Sequence, residues 1–541
     1  MVYILFMLII LLPVLAGFGK IFQQFIGEIF SGVSGLLLSG IFSAALGFTW
    51  IAFFFPLNIY IEVPALLLGL AAFFYFKVYT VFWKFFSENS LPFFLIILIL
   101  VFFGSYYPFI LDHFGYYVPT IKWLSEFGLV TGISNLDLLL GQMSVWHILQ
   151  AGFSNFTDPF LRLNILVLVV YVTYIFEKKS WIHLIFLPFL FLFSQSPSPD
   201  LPVIVISLIL LTEFFNKNKN SGLLFAFSVF VFLLKPTMIW LPIFAFLYGL
   251  MILRSSLKFL LPGSFLLLLF IFKNLWTFGY PIFPIAVLDL GLSWVPNPKI
   301  MKTSAEVAVQ KTFDMQFTAA EIDNFTIADH IRNWLFLSGL KGFIHVSFIL
   351  SLVAFFFLSL KKKTRILWLL FTAILFKTIL VIYFSAQYRF FLDVFFVIFF
   401  IFLFQKISKK YALGIFAGLS VLCAVFLSFP NVAKSTIPSF KLGNFMSGFK
   451  KEQFLKPSYF ELKNYTTHQL GNLKFNVVRN YPFSFDTPLP AISPAYIQED
   501  LNAGIFPQLK GKTLKEGFIW RKLSPEEKEK LKIVVQGFQQ P

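Results

Sequence analysis

Leu91-Pro92-Phe93-Phe94-Leu95-Ile96-Ile97-Leu98-Ile99-Leu100 opens an apolar run that continues to Leu111 without a charge. The chain then changes character: Asp112-His113-Phe114-Gly115-Tyr116-Tyr117-Val118-Pro119-Thr120-Ile121-Lys122-Trp123. About twenty apolar residues suffice to cross a bilayer as a helix. The run reads as a membrane span, with Asp112 a carboxylate left where the span meets water. The aromatic, amphipathic segment behind it suits a helix lying in the membrane interface. A carboxylate in that place points to chemistry on a substrate held in lipid.

The whole chain agrees with this class. Of its 541 residues 58% are hydrophobic and only 13% charged, and the mean hydropathy is +0.81. A soluble fold of this length could not keep so much apolar surface from water, so an all-α polytopic membrane protein is expected. The 79 Phe are spread over nearly every span and read as lipid-facing bulk. The net charge of +17 sits largely in short loops, where it sets topology; no nucleic-acid partner is expected. The single Cys423 rules out an intramolecular disulfide. Met1 to Phe18 lacks a basic leader, and Lys20 follows the apolar run. That favours an uncleaved anchor with its N-terminus outside.

Apolar segments long enough to span, or nearly so, lie at 2–18, 40–57, 60–77, 91–111, 160–177, 181–195, 201–215, 221–236, 237–253, 257–273, 342–360, 366–384, 389–405 and 411–428, about fourteen transmembrane helices. Lys178-Lys179, Lys217 with Lys219, Arg254 with Lys258, Lys361 to Arg365, and Lys406 with Lys409-Lys410 fall in every second connection. The positive-inside rule makes these cytoplasmic and the intervening connections external. The map gives a multi-span domain, 1–428, with external loops 112–159 and 274–341, and a small external α+β domain, 429–541. Both termini are thus expected on the external side of the membrane. Loop 112–159 holds two amphipathic stretches, Tyr116–Phe127 and Met143–Phe153, expected in the interface. Loop 274–341 turns polar and helical around 303–335.

Absent motifs narrow the chemistry. No Gly-rich phosphate loop supports ATP hydrolysis or a nicotinamide cofactor. No His-Glu-x-x-His occurs and the six His are scattered, which speaks against a zinc site built by the protein. The glycosylation-type triplets at Asn155, Asn324 and Asn464 are too short to carry weight.

Several residues could carry chemistry. Asp112 is open to two readings: an N-cap for the following helix, or a general base for an acceptor hydroxyl. Arg389, opening a span on the same face, is an interfacial anchor or a clamp on phosphate, for which a planar guanidinium is suited. Lys377 lies about eleven residues into its span, where a charge needs a partner or a polar cavity. Asp393 in the next span is an available partner, and that pair could be purely structural. Lys235 and Lys273 stand at external span ends, where topology does not explain a cation, and lipid phosphate does. Asp200 suits a helix N-cap or a site-lining role. His113, Tyr116, Tyr117, Trp123 and Asn135 line the same loop as Asp112.

Together these residues resemble the GT-C class of polytopic glycosyltransferases. The chain is similar to a group of largely uncharacterised bacterial membrane proteins related to that class, in which Asp-x-x-x-Tyr-His precedes Trp-x-x-x-x-Gly and an Asn-Leu pair. Here the matching residues are Asp112 to Tyr117, Trp123 to Gly128, Gly132 and Asn135-Leu136. Further echoes are Gly279-Tyr280-Pro281-Ile282-Phe283-Pro284, Trp294-Val295-Pro296, Arg389-Phe390 and Asp486-Thr487-Pro488-Leu489-Pro490. Tyr117 stands where the group carries His, and Phe485 and Ala491 stand where Trp or Cys is usual. The resemblance implies a polyprenyl-phosphate-linked sugar as donor and inverting transfer, on the external side, to a glycan, lipid or protein acceptor. Asp112 would be the base, and Arg389, Lys377, Lys273 and Lys235 would hold the donor phosphate. No cofactor is required, and a divalent metal bridging Asp112 and phosphate stays open. Two other classes compete: an O-antigen-type polymerase or ligase, against which loop 274–341 holds only Arg332 as Arg, and a non-enzymatic lipid or solute transporter, which would place polar residues in several mid-spans.

Overall fold

The computed structural model describes residues 1–89, 91–436 and 447–537. It is mostly helical, with a small strand-bearing region near the C-terminus. Among the described residues six helices are long and apolar enough to cross a membrane: Val2–Phe25, Val33–Phe54, Leu257–Thr277, Leu340–Lys362, Arg365–Phe384 and Lys409–Ser428. A seventh crossing is made if Ile59–Tyr75 and Tyr79–Glu88, bent by 73°, count as one. The expected fourteen therefore become six or seven full-length crossings, with shorter apolar helices between them. Leu91–Gly104, Ser221–Leu234 and Leu392–Leu403 are of the short kind. At 1.5 Å per residue such pieces are roughly 15–25 Å long against a hydrocarbon core of about 30 Å. The opening stretch shows the cause. Its helix stops at Gly104, and the remainder to Ile110, with Pro108, is irregular.

The first three long helices meet backbone to backbone. A Cβ on Gly17 would lie 1.9 Å from the Gly69 carbonyl oxygen, and one on Gly40 would lie 1.8 Å from that of Leu15. Small residues are what permit this approach. At the centre, Leu163–Lys178 and Asp200–Phe215 are buried along nearly their whole length. Polar groups there meet one another: Tyr174 donates to Glu213 at 2.9 Å, and His183 bridges Tyr171 and Thr212 at 2.7 and 2.8 Å.

The expected interfacial helices of loop 112–159 exist as Val118–Phe127 and Val145–Ala151 but face protein, not the interface. Trp123, Trp146, His147 and Gln150 are all buried. Val145–Ala151 is covered by Val33–Phe54, Val118–Phe127 and Ser221–Leu234, and part of the cover over Val118–Phe127 comes from the C-terminal region. Its hairpins are β1 (Tyr465–Leu470) with β2 (Leu473–Val478) and β3 (Ile505–Leu509) with β4 (Phe518–Lys522), both antiparallel. Helices Pro494–Ala503 and Pro525–Gln536 accompany them. Phe518 N–H donates to the Thr131 carbonyl at 2.9 Å, and Lys122 Nζ donates to the carbonyls of Asp486 and Thr487. Buried Arg162 donates to the carbonyls of Gly104, Phe160 and Ser458, pinning the membrane domain to the tail through one guanidinium.

Candidate active site

Asp112 precedes a five-residue π-helical turn, His113–Tyr117, and its side chain makes no cap bond to that turn. The carboxylate instead accepts a hydrogen bond from Arg389 Nη1 at 2.8 Å, across 277 positions of sequence. Both side chains keep access to solvent, at 30% and 39% exposure. A π-turn adds one residue to the helical ladder and re-aims the side chains beside it, a device frequent at functional sites. Here it carries Tyr116 and Tyr117, whose rings lie against each other and against His147. Burial, with the nearby Asp112 charge, lifts both phenols above the ordinary tyrosine range. Burial works against the Arg389 cation, but Asp112 and the two tyrosines outweigh it and hold the guanidinium above its usual value.

Arg389 belongs to a short 3-10 turn, Tyr388–Phe390, between two apolar helices. The Phe390 ring has two cations against it: Arg389 at 5.1 Å and Lys235 at 5.4 Å from the centroid. Lys235 in turn forms an ion pair with Asp200. Asp200 does not act as the expected N-cap. It is the first residue of its helix, and it accepts from Lys235 and from the Ser198 hydroxyl at 3.1 Å. Tyr117 reaches Ser198 at 3.5 Å. The result is an arc running Asp112, Arg389, Phe390, Lys235, Asp200, Ser198, Tyr117. Four separate stretches of chain thus bring two carboxylate–cation pairs against one aromatic ring.

Not every expected residue joins this arc. Lys377 is fully buried and its ammonium is taken up by Asp393, whose other oxygen accepts from Trp240 Nε1 at 2.7 Å. Of the two readings for Lys377, the structure favours the sealed pair. Lys273 is buried too and donates to the carbonyls of Gln142 and Met143 at 2.6 and 3.0 Å, a clip between a span end and loop 112–159. Both ammonium groups are thus already taken up by protein acceptors. Trp123 lines nothing: it is fully buried between Phe127 and Phe518, because the tail covers its face of the helix. His113 is buried with Nδ1 at 3.1 Å from Ser196 and its ring beside Phe114 and Phe485. Asn135 ties three regions together, donating to the carbonyls of Gly132, Trp294 and Phe518.

Sequence reasoning missed Ser198 and Trp240. Phe390 entered only as the second residue of the Arg389-Phe390 pair, and its place against two cations is visible only in space. Among the described residues no group of three or more His, Cys, Asp or Glu could hold a metal ion. The short motifs scattered along the chain are neighbours in space. Phe485 packs on Phe114, Lys122 grips Asp486, and a Cβ on Gly279 would sit 3.0 Å from Val295 Cα.

No curated protein and no solved structure matches this chain. Residues 1–396 match a family described as a domain of unknown function, DUF8201, a stretch that includes Asp112, Asp200, Lys235 and Arg389 and ends before the tail. By that match, which spans well over half of its length, the protein belongs to the DUF8201 family.

Proposed function

We propose that the protein is an inverting membrane glycosyltransferase that moves a sugar from a polyprenyl-phosphate donor to an acceptor hydroxyl. It would work at the external face of a bacterial inner membrane. The observation that carries this reading is the Asp112–Arg389 pair beside Lys235 at the ends of apolar helices. Arg389 also keeps one donor in reserve: its Nε is buried and has no hydrogen-bond partner among the described residues. A buried donor without an acceptor is costly, and a phosphate oxygen would satisfy it.

In this reaction the acceptor oxygen attacks the anomeric carbon from the face opposite the phosphate. The bond from that carbon to the phosphate oxygen breaks, and its electron pair leaves with the lipid phosphate. Arg389 and Lys235 stabilise the charge that grows there. Asp112 takes the proton released by the acceptor hydroxyl. Phosphate competes with Asp112 for the guanidinium, so donor arrival loosens the carboxylate from Arg389 as it is needed as base. Donor binding and base activation are thereby linked in one ion pair.

Protein in nanodiscs, given a polyprenyl-phosphate-linked sugar and a mixture of candidate acceptors, tests this by release of the free lipid phosphate. Asp112→Asn should reduce transfer by about two to four orders of magnitude, the usual weight of a general base, with unchanged expression and thermal stability. Wild-type turnover in that variant would remove Asp112 as base.

A further inference from the structure

We infer that Lys311, from the second loop, completes an anion site with Arg389, and that this site takes a phosphate group. The inference rests on the transferase reading only for the identity of that phosphate, not for the site itself. Lys311 lies in the last turn of Pro298–Thr312, far in sequence from every residue of the arc. That turn is bolted to the strip leading into Arg389. The Ser385 hydroxyl donates to the Ala308 carbonyl at 2.8 Å, and Ala386 N–H donates to Thr312 Oγ1 at 3.1 Å. Trp334 Nε1, from the next long helix of the loop, donates to the Ala386 carbonyl at 2.8 Å. Buried Phe313 follows directly and fixes the end of the turn.

Held in this way, Lys311 is exposed and lies within electrostatic reach of Arg389, Asp112 and Glu499. Its ammonium makes no ion pair or hydrogen bond among the described residues, whereas Lys235, Lys341 and Lys377 each have an aspartate. Side-chain hydroxyls bonded to backbone thus hold two cations near one another, and Asp112 and Glu499 are the carboxylates within reach of Lys311. Asp112 already serves Arg389 through Nη1, and the buried Nε of Arg389 stays unpaired. The geometry thus offers one flexible ammonium and one preset guanidinium donor to a tetrahedral oxyanion. Loop 274–341 becomes a wall of the site, since it delivers one of the two cations.

The test is anion binding by the full chain in nanodiscs, read by calorimetry. Three probes serve: inorganic phosphate, lipid nanodiscs doped with a polyprenyl phosphate, and nanodiscs of phosphatidylcholine alone. Lys311→Gln should weaken phosphate binding by about tenfold, the weight of one charge-assisted bond, and Lys311→Arg should restore it. Lys299→Gln, an exposed lysine at the other end of the same helix, is the control and should bind as wild type. Tighter binding of the doped nanodiscs than of inorganic phosphate assigns the site to a lipid phosphate; equal binding assigns it to free phosphate. If Lys311→Gln binds phosphate as wild type does, or if wild type binds none of the probes, the inference falls. Lys311-dependent binding without any sugar transfer would sink the transferase reading and leave this site standing. Transfer that is intact and indifferent to Lys311 would do the reverse.

Discussion

At the scale of single residues, the sequence showed which positions carried unusual charge but not whom they met. Asp112, Asp200, Lys235 and Arg389 stand out because each ends an apolar run, where a charge needs a reason. Their pairing could not be read, since it joins positions 277 and 35 residues apart through tertiary contact. Lys377 and Asp393 were legible as possible partners because adjacent spans bring them together. Lys273 misled, because a cation at a span end can be satisfied by carbonyls as well as by phosphate. Phe390 is the residue whose role is least visible in sequence and most specific in space. Its ring faces Lys235 and Arg389 together, and each cation–π contact contributes about 0.5–2 kcal/mol depending on desolvation. Phe390→Leu should therefore raise the KM for the lipid donor about tenfold with a smaller change in kcat, because the ring positions cations and touches no reacting atom. Phe390→Tyr should stay near wild type. A leucine variant with the wild-type KM would show that the two cations hold their places without the ring.

At the scale of elements, hydropathy located the apolar segments well and their lengths poorly. Periodicity cannot tell a helix broken at Gly104 from one that continues through Pro108 to Leu111. Amphipathicity has the same ambiguity. Val118–Phe127 has one apolar face and was expected on the membrane surface, yet protein, the tail included, buries that face. Ile327–Leu335, inside the stretch expected to be polar and helical, does the opposite. Ile327 and Ile331 are 81% and 55% exposed, one turn apart. The apolar strip they start runs on through Phe336 at 75% and into the spanning helix Leu340–Lys362 through Phe343 at 70%. An exposed apolar stripe continuous with a membrane span belongs in lipid. Spin labels at positions 327 and 331, introduced in a Cys423→Ser background in nanodiscs, should be accessible to oxygen and shielded from a water-soluble nickel chelate, as a label at 343 is. A label at Lys302 should show the reverse. If positions 327 and 331 resemble 302, the helix stands in water. Trp334, buried on the other side of this helix, bonds to Ala386, so membrane contact and the Arg389 strip share one rigid piece.

At the scale of the whole molecule, the tail is the part the sequence described least. Its ordinary polarity marked it as a separate domain, but nothing marked it as the roof over loop 112–159. The junction brings carboxyl groups together: Asp137 from the loop meets Glu499 and Asp500 from Pro494–Ala503 in one cleft with Tyr496, Asn135 and Asn297. Burial pushes Asp137 up to about 8, with Glu499 adding to it, and pushes Asp500 well above the usual carboxylate range. The folded protein then keeps protons that the unfolded chain has released. Stability conferred by these groups is full below pH of about 4 and is lost progressively as pH rises to about 8. Burial raises Glu499 as well, and the charge of Lys311 offsets only part of that. Buried His113 and His147 act in the opposite sense, since burial holds both below the usual imidazole value and acid must charge them to unfold the fold around them. The contribution of the junction therefore has to be read as a difference. Asp137→Asn keeps an oxygen to accept the Leu139 N–H that Asp137 accepts at 3.0 Å, but removes the titration. Thermal unfolding between pH 5 and 8 should show a Tm that falls less steeply in the variant, with a higher Tm than wild type at pH 8 and little difference at pH 5. Parallel profiles would mean that Asp137 ionises in the folded protein as it does in water, and that the tail sits more loosely on the loop than its hydrogen bonds to Thr131 and Lys122 imply.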